Sequence, residues 1–381
     1  MGNGSKVEAS GHLKATMTTE QNFTRDWFSK PGDSVTALMA RRRVDPSDLA
    51  KQFEGGMTTL RGLLDGSCPI NDTHASVLAD ALGGTVSFWR KRQTNYEIAL
   101  SDAVDRATAN EADEWLKLPV PGARPKGRMS AETQRAEVQR RLAFFNVGTI
   151  RAWKSRYGRI GAETLFRTSQ VLTSDQGAVL MWLRSGELAA DIVATRPWSP
   201  HNLRDRMDAI RALSKVRQPE RFLPKLKALC SEAGVAIVTK RTPEGCRASG
   251  ACRMVAPDKA MILLSFRGLA DDKFWFTVFH EIGHLLMHGE KAFVDADMES
   301  LDDAECEAND FASRCIIPES RVVEFYQLRP DRDSVVRFSV SVGVSPGLIV
   351  GQMQHRGIIR REEMNYLKRH WKWQNLVPLM D

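Results

Sequence analysis

The chain has 381 residues, 42% hydrophobic and 27% charged, with a formal charge of +7, the composition of a soluble globular protein with room for two or three domains. No stretch approaches the roughly 18 apolar residues of a membrane span, and residues 1–20 lack the apolar run of a secretion signal, so a cytoplasmic protein that does not contact membrane is expected. Six scattered cysteines without a C-x-x-C pair argue against a disulfide framework; Cys246 and Cys252 are close enough in sequence to invite a redox or metal reading, the weaker alternative to reduced thiols.

In chain order, residues 1–25 read as a disordered leader. Residues 31–105 read as short helices: 34–42, 45–53 and, after the Gly55-Gly56 turn, 57–64, closed by Asp65-Gly66. A fourth carries Ala75, Leu78, Ala79 and Leu82 at helical spacing, and Gly83-Gly84 separates it from a fifth with Phe88, Trp89 and Tyr96. Two short helices and a turn are the ingredients of a helix-turn-helix. This stretch holds slightly more acids than bases; the positive excess lies further on, where clusters such as Arg151, Lys154, Arg156 and Arg159 read as the solvated face of a helix rather than a nucleic-acid surface. Residues 119–128, rich in proline, glycine and bases, read as a linker. Residues 130–217 read as a helical middle region (131–145, a segment around Trp153, 178–190, 202–216), and 218–381 as a further domain. In that domain 222–233 is a helix, 235–240 and 261–265 are short strands, and 333–343, 345–355 and 360–370 are three closing helices. The fold class is mainly α with a small β-sheet (α+β).

The stretch 271–289 organises that last domain. Asp271 or Asp272 can cap a helix that Gly289 ends, and Phe274, Trp275, Phe276, Val278, Phe279, Ile282, Leu285 and Leu286 make it apolar on nearly every side, so it is expected to be buried. Into it the sequence sets His280, Glu281 and His284, an H-E-x-x-H pattern whose histidines lie one turn apart on one face. Two imidazoles so placed can grip one Zn2+, and Glu281 can take a proton from a water on the metal. Three buried histidines and a glutamate in an apolar helix would be costly without a strong partner. A catalytic zinc takes three protein ligands. Met287 and Glu290 stand where a metzincin would need glycine and histidine, which excludes that class. The segment 303–318 reads as a second amphipathic helix, with Ala304, Ala308, Phe311, Ala312, Cys315 and Ile316 on its buried side. Glu305 shares that face and is taken as the third ligand, whereas Glu307 points about 200° away and reads as a solvated charge. His288 is the rival ligand; it sits about 80° around the helix from His280 and is assigned to the rim.

Several segments together resemble the ImmA/IrrE metallopeptidases: 263–267 (Leu-Leu-Ser-Phe-Arg), 274–277 (Phe-Trp-Phe-Thr), His280-Glu281-Ile282-Gly283-His284, Glu305 with Glu307-Ala308-Asn309, Ile317-Pro318, and 345–355 with Ser345-Pro346-Gly347 and His355. The resemblance runs from about Ser130 to Lys372 and is most specific over 260–318. The segments Leu49-Ala50-Lys51, Leu60 to Gly66 and Phe88 to Tyr96 are similar to the HigA-type branch of the phage-repressor helix-turn-helix family, a familiar N-terminal attachment to such peptidases. The resemblance implies a zinc-dependent endopeptidase with a zincin-like minimal domain that cleaves a transcriptional repressor encoded nearby and so derepresses stress-response or mobile-element genes. It assigns His280, His284 and Glu305 as ligands and Glu281 as base. By analogy with other zincins Asn309 orients a ligand histidine, and His288 and His355 stand at the rim. The helix-turn-helix would offer Thr58, Thr59 and Arg61 to promoter DNA, helped by a patch of Arg41, Arg42, Arg43, Arg90, Lys91 and Arg92, or would serve dimerisation instead. The alternative function is a DNA-binding antitoxin or regulator whose zinc fold is a partner-binding or sensing module without proteolysis.

Overall fold

The computed structural model describes residues 29–122, 125, 127–157, 174–289, 293–295 and 303–380. The expected leader, Arg159, and residues 123, 124 and 126 of the expected linker lie outside them. The fold is mainly helical with one small sheet, as expected from the alternation of helical and strand periodicities.

The N-terminal helices begin where side chains can serve their orphan N–H groups. Helix α1 (Pro31–Arg42) starts at Lys30, whose backbone N–H donates to the Asp33 carboxylate, α2 (Pro46–Ala50) at Asp45, whose carboxylate accepts from the Ser47 N–H, α4 (Asp72–Leu82) at Asn71 and α5 (Val86–Arg106) at Thr85. Between them α3 (Gly56–Asp65) is bracketed by Gly55 and Gly66, both at φ +83°, a backbone state glycine reaches without a Cβ penalty. Their apolar faces close on Val35, Met39, Leu49, Leu60, Leu63, Leu78, Leu82 and Trp89.

The C-terminal half is built on a four-stranded sheet of order β1-β3-β2-β4, with β1 at Val235–Thr239, β2 at Gly250–Ala256, β3 at Lys259–Leu264 and β4 at Phe293–Asp295. β1 runs parallel to β3, and β2 antiparallel to both β3 and β4. The side-chain period of two sends alternate residues to opposite faces. Val235, Ile237, Cys252, Ile262 and Leu264 pack toward the helix Asp271–Met287. Ala236, Val238, Ala251, Met261 and Leu263 pack toward Leu142, Phe145, Trp153, Leu180 and Trp182 of the middle helices. With both faces covered, β1 and β3 read as nearly unbroken apolar runs instead of alternating ones.

Under the second face lies a buried ion cluster. The Glu187 carboxylate accepts from Arg184 (2.6 Å), Arg253 (2.7 Å), Arg156 (3.2 Å) and the Tyr157 hydroxyl (2.8 Å). Burial pushes the Glu187 carboxyl up, but the guanidinium groups outweigh it and hold it at about 2.

Several expectations are corrected. Residues 202–216 form two helices, Pro200–Asp205 and Met207–Leu213, because the chain turns at Arg206, whose guanidinium bonds the Asn202 carbonyl in place of the regular backbone bond. The third closing helix, 360–370, is absent: Met364 adopts a left-handed conformation, the Gln354 amide takes the Glu363 carbonyl, and the Arg369 N–H goes to Asp271. β2, β4 and the helix Ala109–Lys117 are elements the sequence reading lacked. Among the described residues no single helix is long and apolar enough to cross a membrane.

Candidate metal centre

The helix Asp271–Met287 begins after Ala270, and neither Asp271 nor Asp272 caps it as expected. Both sit in its first turn, where the helix dipole favours negative charge. Asp271, fully buried, accepts from the Ser345 hydroxyl and the Arg369 N–H, both at 2.9 Å; burial nevertheless pushes its carboxyl up. Asp272 pairs with Lys368 at 2.6 Å. Gly347 and Gly351 let the helix Pro346–His355 approach these aspartates, and a Cβ at Gly351 would stand 2.9 Å from that of Asp272. Further along, Phe274, Trp275, Val278, Phe279, Ile282 and Leu285 are buried all round the helix. Gly283 admits the Phe311 ring of the facing helix Asp303–Ile316, 3.1 Å from where a Cβ would be. That close approach sets Glu305 opposite the two histidines.

The Nε2 atoms of His280 and His284 lie 3.0 Å apart, and the Glu305 carboxylate reaches them at 3.2 and 3.3 Å. Among the described residues this trio forms the cluster able to hold a metal ion, its donor atoms all within 4.8 Å of one another. Three N and O donors about 2.0–2.2 Å from one tetrahedral Zn2+ stand roughly 3.3–3.5 Å apart, so the spacing and the donor set fit that ion. Protonation fits as well, since metal ligands must be deprotonated. Burial holds the His284 imidazole below its ordinary value against the opposing pull of Glu305. Burial pushes the Glu305 carboxyl up, but hydrogen bonds from His280 and His284 hold it at about 2.

Around the trio, Asn309 Oδ1 lies 3.0 Å from His280 Nδ1, and His288 Nδ1 lies 3.2 Å from His284 Nδ1. Glu307 is exposed, as expected of a solvated charge, and its carboxylate also sits 2.9 Å from His288 Nε2. His355 is exposed at the end of its helix and is not part of the metal-binding trio. Glu281 is fully buried and packs against β2, where a Cβ on Gly250 would collide with its carboxylate. The buried Cys252 thiol faces Glu281; burial first, then the Glu281 carboxylate, push it well above the usual thiol range. Cys246 belongs to the core on the other face of the sheet, and all six cysteines are free, so the two do not form a pair.

Gly250 is the neighbour of the site that sequence reasoning missed. An isolated glycine entering an apolar run is the signal for a close backbone approach. The partnership of Glu307 with His288 left no signal, since it joins two helices.

In the N-terminal helices Thr58 and Arg61 are exposed on α3, while the half-buried Thr59 bonds the Glu54 carbonyl. The expected basic patch is smaller than the sequence implied. Arg92 turns inward to Ser29, Lys30 and Ser34, and Arg90, though exposed, is tied to Ile70 and Asp72, which leaves Arg41, Arg42, Arg43 and Lys91 as the other exposed members.

No curated protein matches the chain. Residues 231–349 match the Peptidase_M78 family model, described as the IrrE N-terminal-like domain, a span that takes in the sheet, His280, Glu281, His284 and Glu305. Over that span the chain is similar to the IrrE-type peptidases, which supports a function of the metallopeptidase type.

Proposed function

We propose that the protein is a zinc-dependent endopeptidase that cuts a transcriptional repressor encoded nearby, derepressing stress-response or mobile-element genes, and that α1–α5 act as an attached DNA-binding or dimerising helix-turn-helix. The observation that carries the reading is the convergence of His280, His284 and Glu305 at 3.0–3.3 Å, with Glu281 buried alongside them on the same helix as the histidines. These three would hold Zn2+, which supplies Lewis acidity toward a water and a peptide carbonyl. Glu281 is not one of the three donors. Its role is to take the proton of the attacking water and hand it to the leaving nitrogen, a contribution of about 10²–10⁴-fold. Packing against Gly250 and Cys252 confines its carboxylate to the side of the helix that faces β2.

The test is co-expression with the repressor-like protein encoded beside it, wild type against Glu281→Gln, with zinc measured in both and the repressor examined by mass spectrometry, unstressed and under DNA damage or oxidative stress. Wild type is expected to shorten the repressor; Glu281→Gln is expected to leave it intact with equal zinc. An intact repressor with wild type in every condition sinks the peptidase reading in favour of a binding module. Cleavage that persists in Glu281→Gln sinks the role given to that carboxylate.

A further inference from the structure

His288 and Glu307 lie outside the metal-binding trio, yet they form a chain of contacts that ends on it. Glu307 Oε2 is 2.9 Å from His288 Nε2, and His288 Nδ1 is 3.2 Å from His284 Nδ1. The Nε2 atom of His284 then faces His280 and Glu305 at 3.0 and 3.3 Å. A neutral imidazole carries one N–H and one lone pair, and a carboxylate only accepts. These rules leave one polarity for the chain. Glu307 accepts from His288 Nε2–H, so His288 Nδ1 presents a lone pair. That lone pair accepts from His284 Nδ1–H, so the lone pair of His284 points from Nε2 into the cluster. His280 reaches the same state by a shorter route, its Nδ1–H donated to Asn309 Oδ1 at 3.0 Å.

We propose that Glu307 and His288 are positioning residues that fix the tautomer and ring orientation of His284 for metal binding. The proposal rests on the zinc reading above and extends it. The same contacts argue for Glu305 over His288 as third ligand, because His288 meets the Nδ1 edge of His284 and not the Nε2 edge that faces the trio. Partners of this kind typically change metal affinity roughly 10–100-fold when removed. Glu307 is well suited to the test, since its side chain is 61% exposed and its replacement removes little packing.

The experiment measures zinc affinity by chelator competition in the full chain for wild type, Glu307→Ala, Glu307→Gln and His288→Ala, with melting of the metal-free proteins as the control for folding. Histidine ring tautomers are read by 15N NMR in the zinc-loaded wild type. Glu307→Ala is expected to bind zinc roughly tenfold more weakly and His288→Ala roughly 10–100-fold more weakly. Glu307→Gln keeps an acceptor oxygen and is expected to restore near wild-type affinity. The wild-type spectrum is expected to show His288 protonated at Nε2 and His284 at Nδ1. Affinities equal to wild type in both alanine variants, or His288 protonated at Nδ1, overturn the relay while leaving the metal site standing. A wild type that binds no zinc overturns the zinc reading and the relay with it. If a variant fails to fold, the wild-type tautomers alone decide.

Discussion

Replacing Gly250 by alanine tests the packing of Glu281 without touching any ionisable group. The new Cβ would overlap the Glu281 carboxylate and stand 2.6 Å from Thr277 Cγ2 and 2.9 Å from Glu281 Cγ. Comfortable carbon contacts are about 3.5–4.0 Å, so something must give by about 1 Å. The strand is paired on both sides at this residue, to Leu264 and to Asp295, and Thr277 is β-branched on a buried helix, so the longer Glu281 side chain is the part expected to give way. Overpacking of this kind costs about 1–3 kcal/mol, partly offset by the ~0.5–1 kcal/mol that alanine gains over glycine inside a strand. The net loss of about 1–2 kcal/mol corresponds to a fall in Tm of a few degrees. For turnover, a displacement of about 1 Å at a reacting group lowers the rate on the order of 10²-fold. Gly250→Ala is therefore expected to bind zinc as the wild type does, melt slightly earlier and, on the proposed function, cut the repressor about a hundredfold more slowly. Melting and cleavage both equal to wild type would refute the contact between Gly250 and Glu281. Loss of zinc alongside would show that the helix had moved as a whole, and that the carboxylate had not turned alone.

Two further outcomes follow from groups away from that contact. Glu187 has a folded pKa depressed to about 2 from an ordinary 4.5, so its contribution to stability is full above about pH 4.5 and is lost as pH falls toward 2. Glu187→Gln is expected to destabilise the protein by about 3–5 kcal/mol at neutral pH, because it strands buried guanidinium groups, and to flatten the dependence of stability on pH between 5 and 3. Equal slopes in denaturant titrations of the two proteins would contradict this. If α3 reads DNA through its exposed face, Arg61→Ala in the full chain should lower discrimination between its own promoter and random duplex by about 1–3 kcal/mol and total affinity by less. Fluorescence anisotropy at moderate salt decides, and a wild type with no preference favours the protein-contact role for these helices.

The fold class and the trio of converging donors were legible in the sequence for different reasons. His280 and His284 are one turn apart on a single helix, so their convergence is local. Glu305 was legible because it shares a helical face with Ala308, which the structure buries completely. β2 was not legible, since Gly250, Cys252 and Arg253 are poor guides to a strand; Arg253 is tolerated there only because Glu187, distant in the sequence, bonds to it. The closing segment 360–370 was misread because helical spacing in the sequence does not reveal that the Arg369 N–H is claimed by Asp271 and His370 by a bridge to Ala270.

The two faces of β2 carry incompatible chemistry, and this bears on the register of the sheet. Gly250 and Cys252 look toward Glu281, whereas Arg253 looks toward Glu187. A slip of one residue turns every side chain to the opposite face. It would swing the guanidinium of Arg253 toward His280 and away from Glu187, whose Oε1 would face a thiol in place of its 2.7 Å partner. The misaligned state thus carries two buried electrostatic faults at once. Glu187, on the opposite face of the sheet, acts as an alignment key that sets which residues of β2 meet Glu281.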